Sequence, residues 1–204
     1  MLANDVDSLE LRGLVLQGGN TTSDGGAIFS SVELTTPIAW KFTDLVITNN
    51  TSRIGAIAIY NKFNVNTEIS FSNCVFYNNT ATSGGGGLAF NNVYNNDSSS
   101  ALNTGKLVVE DCVFKDNTAT GNNGGGINSI GSHQWTFRRT TFCNNMALGS
   151  FAKGGAVRFL NCDSAIIEDC SFNMNYSAID GGAIYTAEST ICLLYTSPSP
   201  RDRG

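Results

Sequence analysis

The stretch Ile69-Ser-Phe71-Ser-Asn-Cys74-Val-Phe76-Tyr-Asn-Asn79, with Gly85-Gly-Gly-Leu88 a few residues on, decides how this chain folds. Its apolar side chains alternate at Ile69 and Phe71, skip a beat over Ser72 and Asn73, and alternate again at Cys74 and Phe76. Period-two alternation marks a strand with one buried face. A single skipped beat therefore describes two short strands meeting at a corner. The same eight-residue figure starts at Leu9, Trp40, Leu107, Trp135 and Ala165, so successive starts lie 31, 29, 38, 28 and 30 residues apart. Three residues beyond its last apolar position stands Asn50, Asn79, Asn117, Asn145 or Asn175, with Gly19 in the first copy. A Gly-rich turn and a third apolar segment follow, ending on an aliphatic residue in every copy: Ile28, Ile57, Leu88, Ile127, Val157 and Ile184.

A repeat near 30 residues with a fixed order of corners implies stacked supersecondary units. The expected fold is all-β: a single right-handed parallel β-helix, a solenoid of about six coils with three short strands per coil. A β-sandwich would give hairpin turn signals every ~8–12 residues, without this fixed order. In a β-helix, equivalent residues of successive coils lie one above another at the ~4.8 Å strand spacing, so six coils make a rod about 29 Å long. Each column must tolerate stacking on itself. Phe76, Phe114, Phe142 and Phe172 form an aromatic column, the six aliphatic positions form another, and the Asn column can chain its amides along the axis. Paired glycines supply positive φ or close approach at the remaining corner.

Composition agrees. Of 204 residues, 22 are Gly and only 3 are Pro, and charged residues make up 14%, against roughly 25% in an average soluble domain. The net charge of -5 argues against nucleic-acid binding, which needs a basic patch. No apolar run approaches the ~18 residues of a membrane helix. Residues 192–204, Cys-Leu-Leu-Tyr-Thr-Ser-Pro-Ser-Pro-Arg-Asp-Arg-Gly, resemble the translation of a sequencing adapter. The expected natural segment is therefore residues 1–191, a β-helix fragment open at both ends and continued by further coils of the same helix.

Phe-x-x-Asn followed by Gly-Gly-Ala-Ile resembles the repeat of the chlamydial polymorphic outer membrane proteins, and more broadly the right-handed, pectin-lyase-like β-helices of surface proteins. Phe-x-x-Asn is met at Phe76/Asn79, Phe114/Asn117, Phe142/Asn145 and Phe172/Asn175. Gly-Gly-Ala-Ile is literal at Gly25–Ile28 and Gly181–Ile184. The resemblance implies a non-enzymatic adhesin or autotransporter passenger, extracellular, at the cell surface or in the outer membrane, whose partners are host-cell or glycan surfaces.

Candidate chemistry is sparse. Two polar columns occupy the first corner: Thr43, Ser72, Glu110, Arg138, Glu168 and Asp44, Asn73, Asp111, Arg139, Asp169. Stacked opposite charges read most simply as an interstrand ladder. The catalytic alternative is a polysaccharide lyase or glycoside hydrolase built on Asp111, Arg139 and Asp169. Carboxylates two coils, about 9.6 Å, apart approach the ~6.5–9.5 Å of an inverting pair. Cys74, Cys112 and Cys170 share an inward column whose axial spacing does not converge on a metal, although Cys74 and Cys112 are adjacent enough for a disulfide. His133 is the only histidine, no Gly-Lys-Ser/Thr follows the Gly-rich corners, and no cofactor or metal is expected. The 38-residue spacing places a polar insertion around Asn91–Gly105, where solenoids carry loops.

Overall fold

The computed structural model describes residues 8–32, 38–61, 66–92, 105–121, 123–187 and 191–194. Within them the chain is a parallel β-solenoid of about five turns, carrying three parallel sheets of eleven, six and five strands. Six copies of the pattern bound five intervals, which accounts for the lower turn count. The three-strand coil holds, but its strands are partitioned differently from the reading above. The third strand of one coil and the first strand of the next lie in the same sheet. In two coils they fuse into the 12-residue strands Ile127–Arg138 and Val157–Glu168. The five-stranded sheet is built from short strands directly after the ladder asparagine, such as Thr80–Gly84, Thr118–Ala119 and Met146–Ala147. Ile191–Leu194 pairs with residues 165–168 as a further rung. Residues 195–204 and the insertion at 93–104 lie outside the described residues.

Register follows the columns read from the sequence. Phe76 pairs with Phe114, Phe114 with Phe142, and Phe142 with Phe172. Their rings stack at centroid separations of 4.4, 5.1 and 4.8 Å, within 15° of parallel. Offset stacking of this kind adds to simple burial. Trp40, Phe42, Ile57, Ile69, Phe71, Leu88, Leu107, Ile127, Trp135, Phe137 and Val157 fill the rest of the lumen and are essentially inaccessible. Leu9, Leu11, Leu16, Phe172 and Ile184, in the outermost coils, are only partly buried.

The asparagine column is the most regular hydrogen-bonded feature of the interior. From Asn50 to Asn145 each Nδ2 donates twice, to the Oδ1 of the next coil's asparagine and to a carbonyl of the preceding coil, while Asn175 at the end of the column donates to Phe142 O. Asn79 donates to Asn117 Oδ1 at 2.9 Å and Ile47 O at 2.9 Å, and Asn117 donates to Asn145 Oδ1 at 3.0 Å and Phe76 O at 2.9 Å. Each Oδ1 also accepts the backbone N–H of the residue one coil earlier in the column, as in Asn79 N–H to Asn117 Oδ1 at 3.2 Å and Gly19 N–H to Asn50 Oδ1 at 2.9 Å. One amide thus ties three coils together without leaving a buried polar atom unmatched.

Both corners flanking the six-stranded sheet turn through left-handed residues. Asp44, Asn73, Asp111, Arg139 and Asp169 take φ between 45° and 55°, as do Asn49, Asn78, Asp116, Asn144 and Met174 within the same span. Asn and Asp tolerate that region because their short polar side chains bond locally; other residues meet a Cβ clash. The Gly corner uses both properties expected of it. Gly85, Gly124 and Gly154 have φ near 66–71°, whereas at Gly125 a Cβ would collide with the Gly155 carbonyl and the Met146 amide.

Asn117→Ala should take the acceptor from two Asn79 donors and remove the side-chain donor to the Phe76 carbonyl, three bonds in all. At ~1 kcal/mol or more for each orphaned group, the expected loss is about 3 kcal/mol of stability, read from the urea midpoint. Lys115→Ala, two residues away on the outer surface, should stay within ~0.5 kcal/mol.

Candidate functional site

Left-handed backbone at the first corner projects its side chains outward, and this positions the charged columns. Arg138 bridges coils: Nη1 donates to Glu110 Oε1 and Nε to Glu168 Oε2, both at 3.0 Å. Arg139 holds Asp111 through two bonds, Nε to Oδ1 at 2.7 Å and Nη2 to Oδ2 at 2.9 Å. The hydrogen bonds and charge of Arg139 keep the Asp111 carboxyl below its ordinary value, and the same pairing raises Arg139. At the other end of the column, Asn73 and then Arg12 lower Asp44 in the same way. Asp111 and Arg139 thus lie together as the sequence suggested, but as an exposed ion pair one rung apart. Asp169 occupies the next left-handed position of that column. An ionised carboxylate locked to guanidinium is a poor proton donor, which weighs for the ladder.

The thiol column is an echo of the asparagine one. Cys74 N–H points at Cys112 Sγ at 3.4 Å, and Cys112 N–H at Thr140 Oγ1 at 3.4 Å. Cys74 Sγ donates to Ser72 O, Cys112 Sγ to Glu110 O, and Thr140 Oγ1 to Arg138 O. Threonine therefore replaces cysteine with its bonding intact. Cys74, Cys112, Cys143, Cys162 and Cys170 are free thiols, so the Cys74–Cys112 disulfide considered above is not formed. Hydrogen bonding to Cys74, reinforced by burial, pushes the Cys112 thiol up, and burial pushes Cys162 up to about 12. Among the described residues no group of His, Cys, Asp and Glu converges as a metal site. His133 falls within the long strand Ile127–Arg138.

A third surface was not apparent from the sequence. On the outer side of the third strand, register stacks Phe29, Ala58, Ala89, Asn128, Arg158 and Tyr185. The residues just before the Gly corner face this column. Tyr60 donates to Asp24 Oδ2 at 2.8 Å, Arg53 Nη2 reaches the same oxygen at 2.7 Å, and the Asp24 side chain is only 7% exposed. Burial and the bond to Asp24 raise the Tyr60 hydroxyl. Four coils on, Lys153 Nζ donates to Tyr185 OH at 3.0 Å. The available signal was positional: each outer residue directly follows the aliphatic position of the Gly-Gly-Ala-Ile segment.

With the geometry in place, the class is a parallel β-solenoid whose coils are joined by side-chain ladders. The family model of the Chlamydia polymorphic membrane protein repeat matches residues 73–91, running from the left-handed Asn73 through Phe76, Asn79 and the Gly corner to Asn91. Over that coil the chain is similar to this repeat. No curated protein and no solved structure gives a significant match.

Two outcomes follow. A carboxyl lowered on folding contributes stability above its unfolded value and loses it as pH falls through the folded value; Arg139→Gln should therefore lower stability at pH 7, modestly because the pair is exposed, and the difference from the parent should vanish as pH falls below the carboxylate range, which flattens the acid limb of unfolding. Mass-spectrometric mapping of alkylation should find Cys74 and Cys112 unlabelled in the native protein and labelled once urea opens the coils.

Proposed function

We propose that this chain is a non-enzymatic, surface-displayed β-helix module of the adhesin or autotransporter-passenger type, placed outside the cell or at its outer membrane. The observation that carries the reading is the repeat match at residues 73–91, which falls on one coil with its aromatic, amide and glycine columns all in register. A rod whose interior is filled by ladders has its binding capacity on outward columns and loops, as in other solenoids. The charged corner supports the same reading, since Asp111 is held ionised by Arg139 and offers no ready acid for glycoside cleavage.

An antibody raised against the folded chain is expected to label intact source cells, and the purified chain is expected to compete with those cells for attachment to a host or glycan surface. Labelling only after permeabilisation would overturn the surface assignment. Glycan cleavage by the purified chain that is abolished by Arg139→Ala would overturn the non-enzymatic one.

A further inference from the structure

Arg12, Arg53, Arg138 and Arg139 each reach a carboxylate. Arg158 reaches none among the described residues. Its Nη1 donates to Asn128 Oδ1 at 3.1 Å, while its Nε is buried without an acceptor. A partly buried guanidinium lacking a counter-charge is unusual, because desolvation penalises an unpaired ion and an orphaned donor adds to the penalty. Burial lowers Arg158 accordingly.

The neighbours are arranged to share an anion. Arg158 lies in register with Tyr185 on one side and Asn128 on the other, about 4.8 Å per rung. Lys153, placed just before the Gly corner, lies over the Tyr185 ring at 4.6 Å and donates to its hydroxyl, and the Asp180 carboxylate stands 3.9 Å away. Asn123 lies one rung from Lys153 in the column before the corner, with its Oδ1 buried and unpartnered. The cluster thus sets a guanidinium without a counter-charge among the described residues beside an ammonium, a phenol hydroxyl and side-chain amides.

We infer that Arg158, Lys153, Asn128, Asn123 and Tyr185 form a binding site for an acidic polysaccharide, with the guanidinium and ammonium taking a carboxylate or sulfate oxygen and the amides taking sugar hydroxyls. A guanidinium fork suits either oxyanion. A hydroxyl-dense chain lying along the rungs supplies both bond types where an acidic peptide would supply mainly acceptors. The site deepens the surface reading and rests on it only for access to polysaccharide.

The test uses the purified full chain with immobilised heparin, hyaluronan, neutral dextran and poly-glutamate at fixed salt. Heparin or hyaluronan should bind, the stronger of the two identifying sulfate or carboxylate as the preferred group. Arg158→Gln should weaken that binding about tenfold or more, the scale of losing charge-assisted bonds, while Lys115→Gln, an equal charge change elsewhere, should alter it less than about twofold. Circular dichroism and the urea midpoint establish that the variant is folded; if Arg158→Gln is not, Lys153→Gln carries the same thresholds. Undiminished binding by the folded variant, equal retention on dextran, absence of glycan binding, or tighter binding of poly-glutamate would each overturn the site. Failure of antibody labelling on intact cells would instead remove the surface reading and leave these affinities unchanged.

Discussion

The buried asparagine amide is the constraint to which the rest of the coil adjusts. In every copy the asparagine, or Gly19 in its place, stands ten residues after the first apolar position, at 19, 50, 79, 117, 145 and 175. The remainder of the coil varies in length. An amide that must donate upward to the next Oδ1 and downward to a backbone carbonyl fixes two coils relative to a third, so no residue can be gained between the strands that aim it. Length differences therefore fall in the two arcs flanking the third strand, from the asparagine to the aliphatic position and from there to the next coil, the largest being the insertion between Leu88 and Leu107. Because unmatched amides in a dry lumen are costly while a complete column is self-consistent, the ladder specifies alignment as well as adding stability.

The chain's asparagine content has two separate physical origins. One set, exemplified by Asn79 and Asn117, is buried and chosen for its amide. The other, exemplified by Asn73 and Asn144, sits outside at left-handed corners and is chosen for its backbone tolerance. Aspartate serves the second purpose as well, which gives Asp44, Asp111 and Asp169 a reason to exist that is independent of any catalytic role. Arg139 and Met174 depart from this logic, and both carry the left-handed strain without the local bonding that eases it. For Arg139 the bidentate grip on Asp111 is a visible compensation; nothing in the structure explains Met174.

Much of the architecture was legible because stacking forces like onto like. Phe76, Asn79 and Leu88 recur at fixed places, and their columns appear in the structure at the expected register. The five-stranded sheet was not legible, since strands as short as Thr118–Ala119 and Met146–Ala147 contain too few residues to show alternation. The corner charges were visible as a pattern, but their backbone cause was not, because aspartate looks the same whether selected for charge or for φ. Cys112 and Thr140 illustrate the converse: chemically different residues share one position because each bonds the same pair of backbone groups.

Arg158 escaped notice for the reason that makes it informative. Its column reads Phe29, Ala58, Ala89, Asn128, Arg158 and Tyr185, a series with no common chemistry that only the pairing register brings into line. Interior columns must repeat, since each residue is its neighbour's environment. The outer column is released from that requirement, and it is covered unevenly: Ala58 and Ala89 are buried, while Asn128, Arg158 and Tyr185 are only partly so. Small residues at Ala58 and Ala89 separate an aromatic and acidic end, with Phe29, Tyr60 and Asp24, from a cationic end, with Lys153 and Arg158. A rod that is uniform inside can in this way present chemically distinct stations along its length, and Arg158 is the station at which the described residues supply an amide but no counter-charge.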